Sequence, residues 1–139
     1  MHIFEPTAVF RKEKDGGYFA ICREVEGVFS QGDTIEEARV MVADALDGVA
    51  RAALDDNLVN FFIPAEYEPK KNDIIEPIKI DPVLQAAVTL RMAREKAALT
   101  QKRAAELSGL KQQTISRYER AKVEPSAGKF FKLLHLYAA

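Results

Sequence analysis

Residues 100–119 read TQKRAAELSGLKQQTISRYE, and the folding of this stretch decides the second half of the chain. Thr100 suits the cap of a helix over 100–107, and Ser108-Gly109 make a tight turn in which glycine takes the left-handed position. A second helix over 111–119 follows. Ala104 and Ala105 are small enough to let the two helices approach closely. The spacing predicts a helix, a short turn and a helix, a unit whose second member can enter the major groove of DNA.

On that second helix Ile115 and Tyr118 stand three apart and share the buried face. Gln112, Gln113, Ser116 and Arg117 fall on the remaining surface. Glutamine bonds bidentately to adenine N6/N7 and arginine to guanine O6/N7, so these four are the candidate base readers. Gln101, Lys111, Thr114, Arg120 and Lys122 border them as candidate contacts to the DNA backbone. A charged, solvated helix is the plain alternative. The turn glycine, the small residues, the glutamine pair and the local charge together favour DNA.

Charge divides the chain. Residues 1–82 carry 9 Lys/Arg against 17 Asp/Glu, a net of −8, and residues 83–139 carry 11 against 4, a net of +7. The basic half suits a polyanion, the acidic half a basic protein. Helices are expected over 82–96 and 126–137 around the central pair, with Asp81-Pro82 and Pro125-Ser126 as their starts. They complete an all-helical module at 82–139.

The acidic half alternates and turns. Apolar runs around Val9-Phe10, Tyr18 to Ile21 and Val28-Phe29 are separated by Asp15-Gly16-Gly17 and Gly27, which predicts three short antiparallel strands. Thr34 and Glu37 have capping-box spacing and open a long helix with Ala38, Val42, Leu46 and Leu54 on one face. NFFIPAEYEP, residues 60–69, reads as a fourth strand stopped by Pro64. The order β-β-β-α-β makes an α+β module at 1–69. Residues 70–81 read as a linker in which EPIKI forms an edge strand or an oligomer contact.

The pattern of residues 90–139, with LTQ, LSGLKQQTISRYE and EPS in place, resembles the Cro/repressor-type helix-turn-helix family. The resemblance implies base contacts from Gln112, Gln113 and Arg117, backbone contacts from Gln101 and Arg120, and a structural ion pair between Arg94 and Glu119. Ala121 stands where that family often has glycine. If the position needs positive φ, alanine costs on the order of 1 kcal/mol there.

DGGYFAICREVEGVFSQGDTIEEARVMVADAL, with its Gly16-Gly17-Tyr18, Gly27 and Gly32-Asp33-Thr34-x-x-Glu37-Ala38, resembles the HicB antitoxin family over about residues 3–65. That implies a partial ribonuclease-H-like fold without nuclease activity, and a HicA-type mRNA-cleaving toxin as partner. Under this resemblance the candidate toxin-binding residues are Tyr18, Arg23, Glu24, Glu26 and Asp33. CREVEGV departs from the family, which has prolines in that loop.

No catalytic constellation is visible, no metal-ligand spacing joins Asp15, Asp33, Asp44 and Asp47, and no cofactor motif occurs. His2, His135 and Cys22 read as structural or solvated. One cysteine fits a reducing cytoplasm, and there is neither an apolar run of membrane-spanning length nor a signal peptide's apolar core. A helix-turn-helix of this size reads few base pairs alone, so a homo-oligomer, a dimer or higher, is expected through Phe130, Phe131, Leu133, Leu134 and Tyr137, helped by EPIKI. The sequence thus predicts an autoregulating antitoxin on double-stranded operator DNA. A stand-alone repressor sensing a small ligand, or a nuclease, are the alternatives.

Overall fold

The computed structural model describes residues 2–57 and 62–139. They divide into two units, Glu5–Ile80 and residues 2–4 with Asp81–Ala139.

In the first unit β1 (Thr7–Lys12), β2 (Tyr18–Cys22) and β3 (Phe29–Gly32) precede α1 (Ile35–Asp55), and β4 (Ile74–Pro77) follows it. All strand pairs are antiparallel, in the order β3-β2-β1-β4. Alternation decides which residues meet the helix. Ala8 and Phe10 stand opposite Cys22 and Ala20. Glu76, opposite Ala8 on the other side, reaches Arg39 of α1 at 2.8 Å, so this is the face that α1 covers. The helix supplies Ala38, Val42, Leu46, Ala50, Ala53 and Leu54 to the core, all at most 2% exposed.

α1 starts where expected. Thr34 Oγ1 accepts the Glu37 N–H at 3.1 Å. Gly32 is required for a different reason than turn geometry: a Cβ there would sit 2.5 Å from the Ala38 nitrogen, so only glycine lets β3 run this close to the helix start.

The fourth strand lies later than its expected place. Of NFFIPAEYEP, residues 60 and 61 lie outside the described residues, and 62–69 form no strand. Pro64 brings no N–H, and its neighbours make two isolated bonds to the β2–β3 connection: Glu26 N–H to the Ile63 carbonyl (2.7 Å) and Ala65 N–H to the Arg23 carbonyl (2.8 Å). The strand forms instead in the stretch read as a linker. Asp73 fixes its start by accepting both Arg11 N–H groups at 2.8 Å and the Lys70 N–H at 2.8 Å.

The second unit is helical: α2 (Pro82–Lys96), α3 (Gln101–Ser108), α4 (Gln112–Glu119) and α5 (Ala127–Ala138). Asp81, Thr100 and Ser126 cap α2, α3 and α5 by accepting N–H groups of Val83, Arg103 and Lys129. Leu90, Ala104, Ile115, Tyr118, Leu133, Leu134 and Tyr137 form its core. The chain's start belongs to this unit rather than to the sheet. Phe4 N–H donates to Thr89 Oγ1 (2.9 Å), and its carbonyl accepts from Gln85 Nε2 (3.0 Å).

This core takes up three of the five residues expected to carry the oligomer contact. Leu133, Leu134 and Tyr137 are buried in it beside Leu90, Ile115 and Tyr118. Phe131 alone of the five stays 45% exposed, with Phe130 half-buried edge-on against it at 5.3 Å between centroids. Among the described residues no helix is long and apolar enough to cross a membrane.

Candidate nucleic-acid interface

The turn between α3 and α4 is set by Gly109, whose φ of +78° lets its N–H close on the Ala105 carbonyl at 2.9 Å. Ser108 Oγ then accepts the Leu110 N–H at 3.2 Å, which directs the chain into α4. Ala104, fully buried, leaves the room for α4 to cross α3.

Ile115 and Tyr118 fill the core and so orient α4. Lys111, Gln112, Gln113, Arg117 and Arg120 are exposed, and Thr114 and Ser116 are half-buried at the edges of the same face. Gln112, Gln113, Ser116 and Arg117 thus share one outward surface, with both glutamines in the first turn. α4 is the one helix in this unit whose N-cap, Lys111, makes no side-chain bond to the first turn. Its leading N–H groups therefore receive no bond from the cap side chain. Lys122 follows the helix and is exposed.

The far end of α4 is held by a buried ion pair. Arg94 donates from Nε to Glu119 Oε2 (2.7 Å) and from Nη2 to Oε1 (2.8 Å), and its Nη1 reaches the Leu99 carbonyl (2.7 Å). Glu119's side chain is 1% exposed. Hydrogen bonding to Glu119 raises the Arg94 pKa against the opposing effect of burial. Gln101, expected at the DNA backbone, donates Nε2 to Glu119 Oε1 at 3.3 Å and ties the start of α3 into the same network. Beside it the Tyr137 hydroxyl is buried without a hydrogen-bond partner, and burial, followed by the Glu119 charge, raises its pKa.

Ala121 does occupy a left-handed position, with φ of 56°. The Lys122 N–H reaches back to the Arg117 carbonyl (3.0 Å) and the Ala121 N–H to Tyr118 (3.2 Å), the bonding that ends a helix around such a residue.

In the sheet unit the five residues singled out for toxin binding do not come together. Tyr18 and Asp33 lie at one end of β2, in a cleft of about 540 Å3 that Glu13, Asp15, Gln31 and Glu37 also line. Glu13, Asp15 and Glu37 were not among the residues singled out for toxin binding, because only the pairing of Tyr18 with Gly32 brings the β1–β2 turn against the start of α1. Arg23, Glu24 and Glu26 lie at the other end of β2. Glu24 is already engaged, accepting Thr7 N–H at 2.6 Å and Thr7 Oγ1 at 2.7 Å, so it braces β1. Arg23 lies over the Tyr67 ring, 6.0 Å from its centroid. Glu26 is exposed. Cys22 is a buried thiol whose pKa burial pushes up to about 11, the setting of a core residue rather than a nucleophile. Among the described residues no group of three or more His, Cys, Asp or Glu stands placed to hold a metal ion.

Residues 90–138 match the helix-turn-helix family, which places α3 and α4 in a DNA-binding class of domain. Two proteins of Synechocystis sp. are similar to the chain. UPF0150 protein ssl0738 is 42% identical over 52 residues, 37% of this chain and 72% of that protein. UPF0150 protein ssr1765 is 34% identical over 80 residues, 56% of this chain and 89% of that protein. With nearly the whole of the second relative covered at that identity, the chain belongs to the UPF0150 family.

Proposed function

We propose that the chain is the antitoxin of a HicA/HicB-type pair. Its sheet unit, a partial ribonuclease-H-like fold, binds and blocks a small basic RNA-cleaving toxin of the HicA type. Its helical unit binds the operator of its own gene pair as a homodimer or higher oligomer and represses it. The observation that carries this reading is the joining, in one chain, of an acidic α+β unit with open carboxylates and a basic helix-turn-helix. An acidic surface attracts an RNA-binding protein and competes with RNA for it. On α4, Gln112, Gln113, Arg117 and Ser116 read bases, while Lys111, Thr114, Arg120 and Lys122 contact the DNA backbone. Gln101 approaches the backbone from the start of α3.

The test is co-expression with the toxin encoded beside the chain's gene. The full chain should restore growth and should shift DNA from upstream of that gene pair. If growth arrest persists with folded chain present, the antitoxin reading is wrong, whatever the shift assay shows.

A further inference from the structure

We propose that the basic partner docks on the outward face of α1, centred on Val40 and Met41; this rests on the antitoxin reading and assigns its surface. Of the large apolar side chains of α1, Val42, Leu46 and Leu54 are buried and Ile35 and Val49 half-buried, while these two are 59% and 45% exposed. Glu36 and Glu37 lie one helical turn before them and Asp44 one turn after. The apolar pair is therefore flanked by carboxylates along the helix. Glu37 also lines the cleft shared with Glu13, Asp15 and Asp33, so the acidic surface continues from α1 onto the β1–β2 turn.

Three of the unit's arginines are already held in ion pairs. Arg11 pairs with Asp73, Arg39 with Glu76 and, at 4.0 Å, with Glu36, and Arg51 with Asp47. Among the described residues no ion pair engages Glu13, Asp15, Asp33, Glu37 or Asp44. These carboxylates are open to a partner's countercharge. On the other side of Val40 lies a notch of about 260 Å3 walled by Arg39 and Ala43 of α1 and by Pro77, Ile78 and Lys79 at and after the end of β4, room for one apolar side chain between the two cations.

Exposed aliphatics between unpaired acids call for an apolar anchor flanked by Lys or Arg. The sheet unit of a second copy is excluded as the occupant, because it would bring the same acids against themselves. A small basic protein's RNA-binding surface has the required chemistry. While it is held there, its cations are withheld from phosphates, and docking and blocking become one event.

The measurement is the affinity of the full chain for the purified product of the small reading frame beside its gene. Val40→Lys with Met41→Lys, and separately Glu37→Lys with Asp44→Lys, should each weaken binding about 100-fold. Ile75→Lys, at a residue 49% exposed on β4, should leave it within about twofold. Carbodiimide cross-linking of the unmutated complex supplies a reading that needs no variant, and partner lysines should join to Glu37 or Asp44. Wild-type affinity in both α1 variants, or cross-links confined to other carboxylates, overturns the assigned face and leaves the antitoxin reading standing. No binding by the unmutated chain overturns both.

Discussion

Arg94–Glu119 in the helical unit and Arg11–Asp73 in the sheet unit are built alike. In each, arginine Nε and Nη2 bond the two carboxylate oxygens at 2.7–2.8 Å, and the guanidinium also reaches a backbone carbonyl, Leu99 in one case and Glu68 in the other. They differ in burial. The Arg94 and Glu119 side chains are 11% and 1% exposed, against 34% and 5% for Arg11 and Asp73. In the first pair each charge depends on the other. In the second, the arginine keeps access to water, and the pair chiefly sets where β4 begins. The same geometry is a condition of folding in one unit and a register pin in the other.

Breaking the pairs separates these roles. Arg94→Met leaves Glu119 buried without a countercharge and should cost about 3–5 kcal/mol in denaturant unfolding, most of a small unit's stability. Arg11→Met should cost about 1 kcal/mol or less at neutral pH. Equal losses would mean that burial does not distinguish the pairs.

The next effect sharpens what the helical pair is for. Arg94 and Glu119 hold one end of α4 in place, but they are not its readers. Gln112→Ala or Gln113→Ala should therefore leave thermal unfolding nearly unchanged and weaken operator binding by about 1–3 kcal/mol in a shift assay, with relaxed base preference. Lys111→Ala should weaken all sequences alike and lower the salt dependence. A glutamine variant that loses stability but keeps sequence preference would make the glutamines framework residues instead.

The two pairs were not equally legible in the sequence. Arg94 and Glu119 were expected to pair through the resemblance to the Cro/repressor-type helix-turn-helix family, and the structure joins them. The Arg11–Asp73 pair depends on the register of β1 against β4, and thus on where the last strand forms. An apolar run at 60–69 outweighed IIEP by composition, yet Pro64 and the Asp73-centred turn decided otherwise. The acidic cleft was hidden for the same reason, since Asp15 and Glu37 meet only once β2 and β3 have paired. Glu24 was a candidate partner contact under the resemblance, and its bonds to Thr7, 17 residues away, leave no periodic trace in the sequence.

A smaller effect tests the end of α4. Ala121 holds φ of 56° while 9% exposed, a conformation that a Cβ disfavours and glycine accepts. Ala121→Gly should raise stability by about 0.5–1 kcal/mol, the strain relieved less the extra freedom of the unfolded chain. A loss in melting temperature would show that the methyl's packing outweighs its backbone strain.

The smallest effect at neutral pH has the most distinctive pH signature. The two Arg11 bonds, followed by the Lys70 N–H, hold the Asp73 carboxyl at about 2, below its ordinary 3.8. A depressed carboxylate contributes stability that is fully present above its unfolded value and disappears as pH falls through the folded one. The Arg11–Asp73 contribution is therefore constant near neutrality and fades between about pH 4 and 2. In Arg11→Met, Asp73 loses the larger cause of its shift, so the acid limb of the sheet unit's stability curve should flatten. Because Arg11→Met spares the helical unit's pair, acid titration followed separately in the two units assigns the change. If the sheet unit loses stability with the same slope below pH 4 with and without Arg11, the pair does not hold Asp73 ionised, and the fixed start of β4 must rest on the Lys70–Asp73 turn alone.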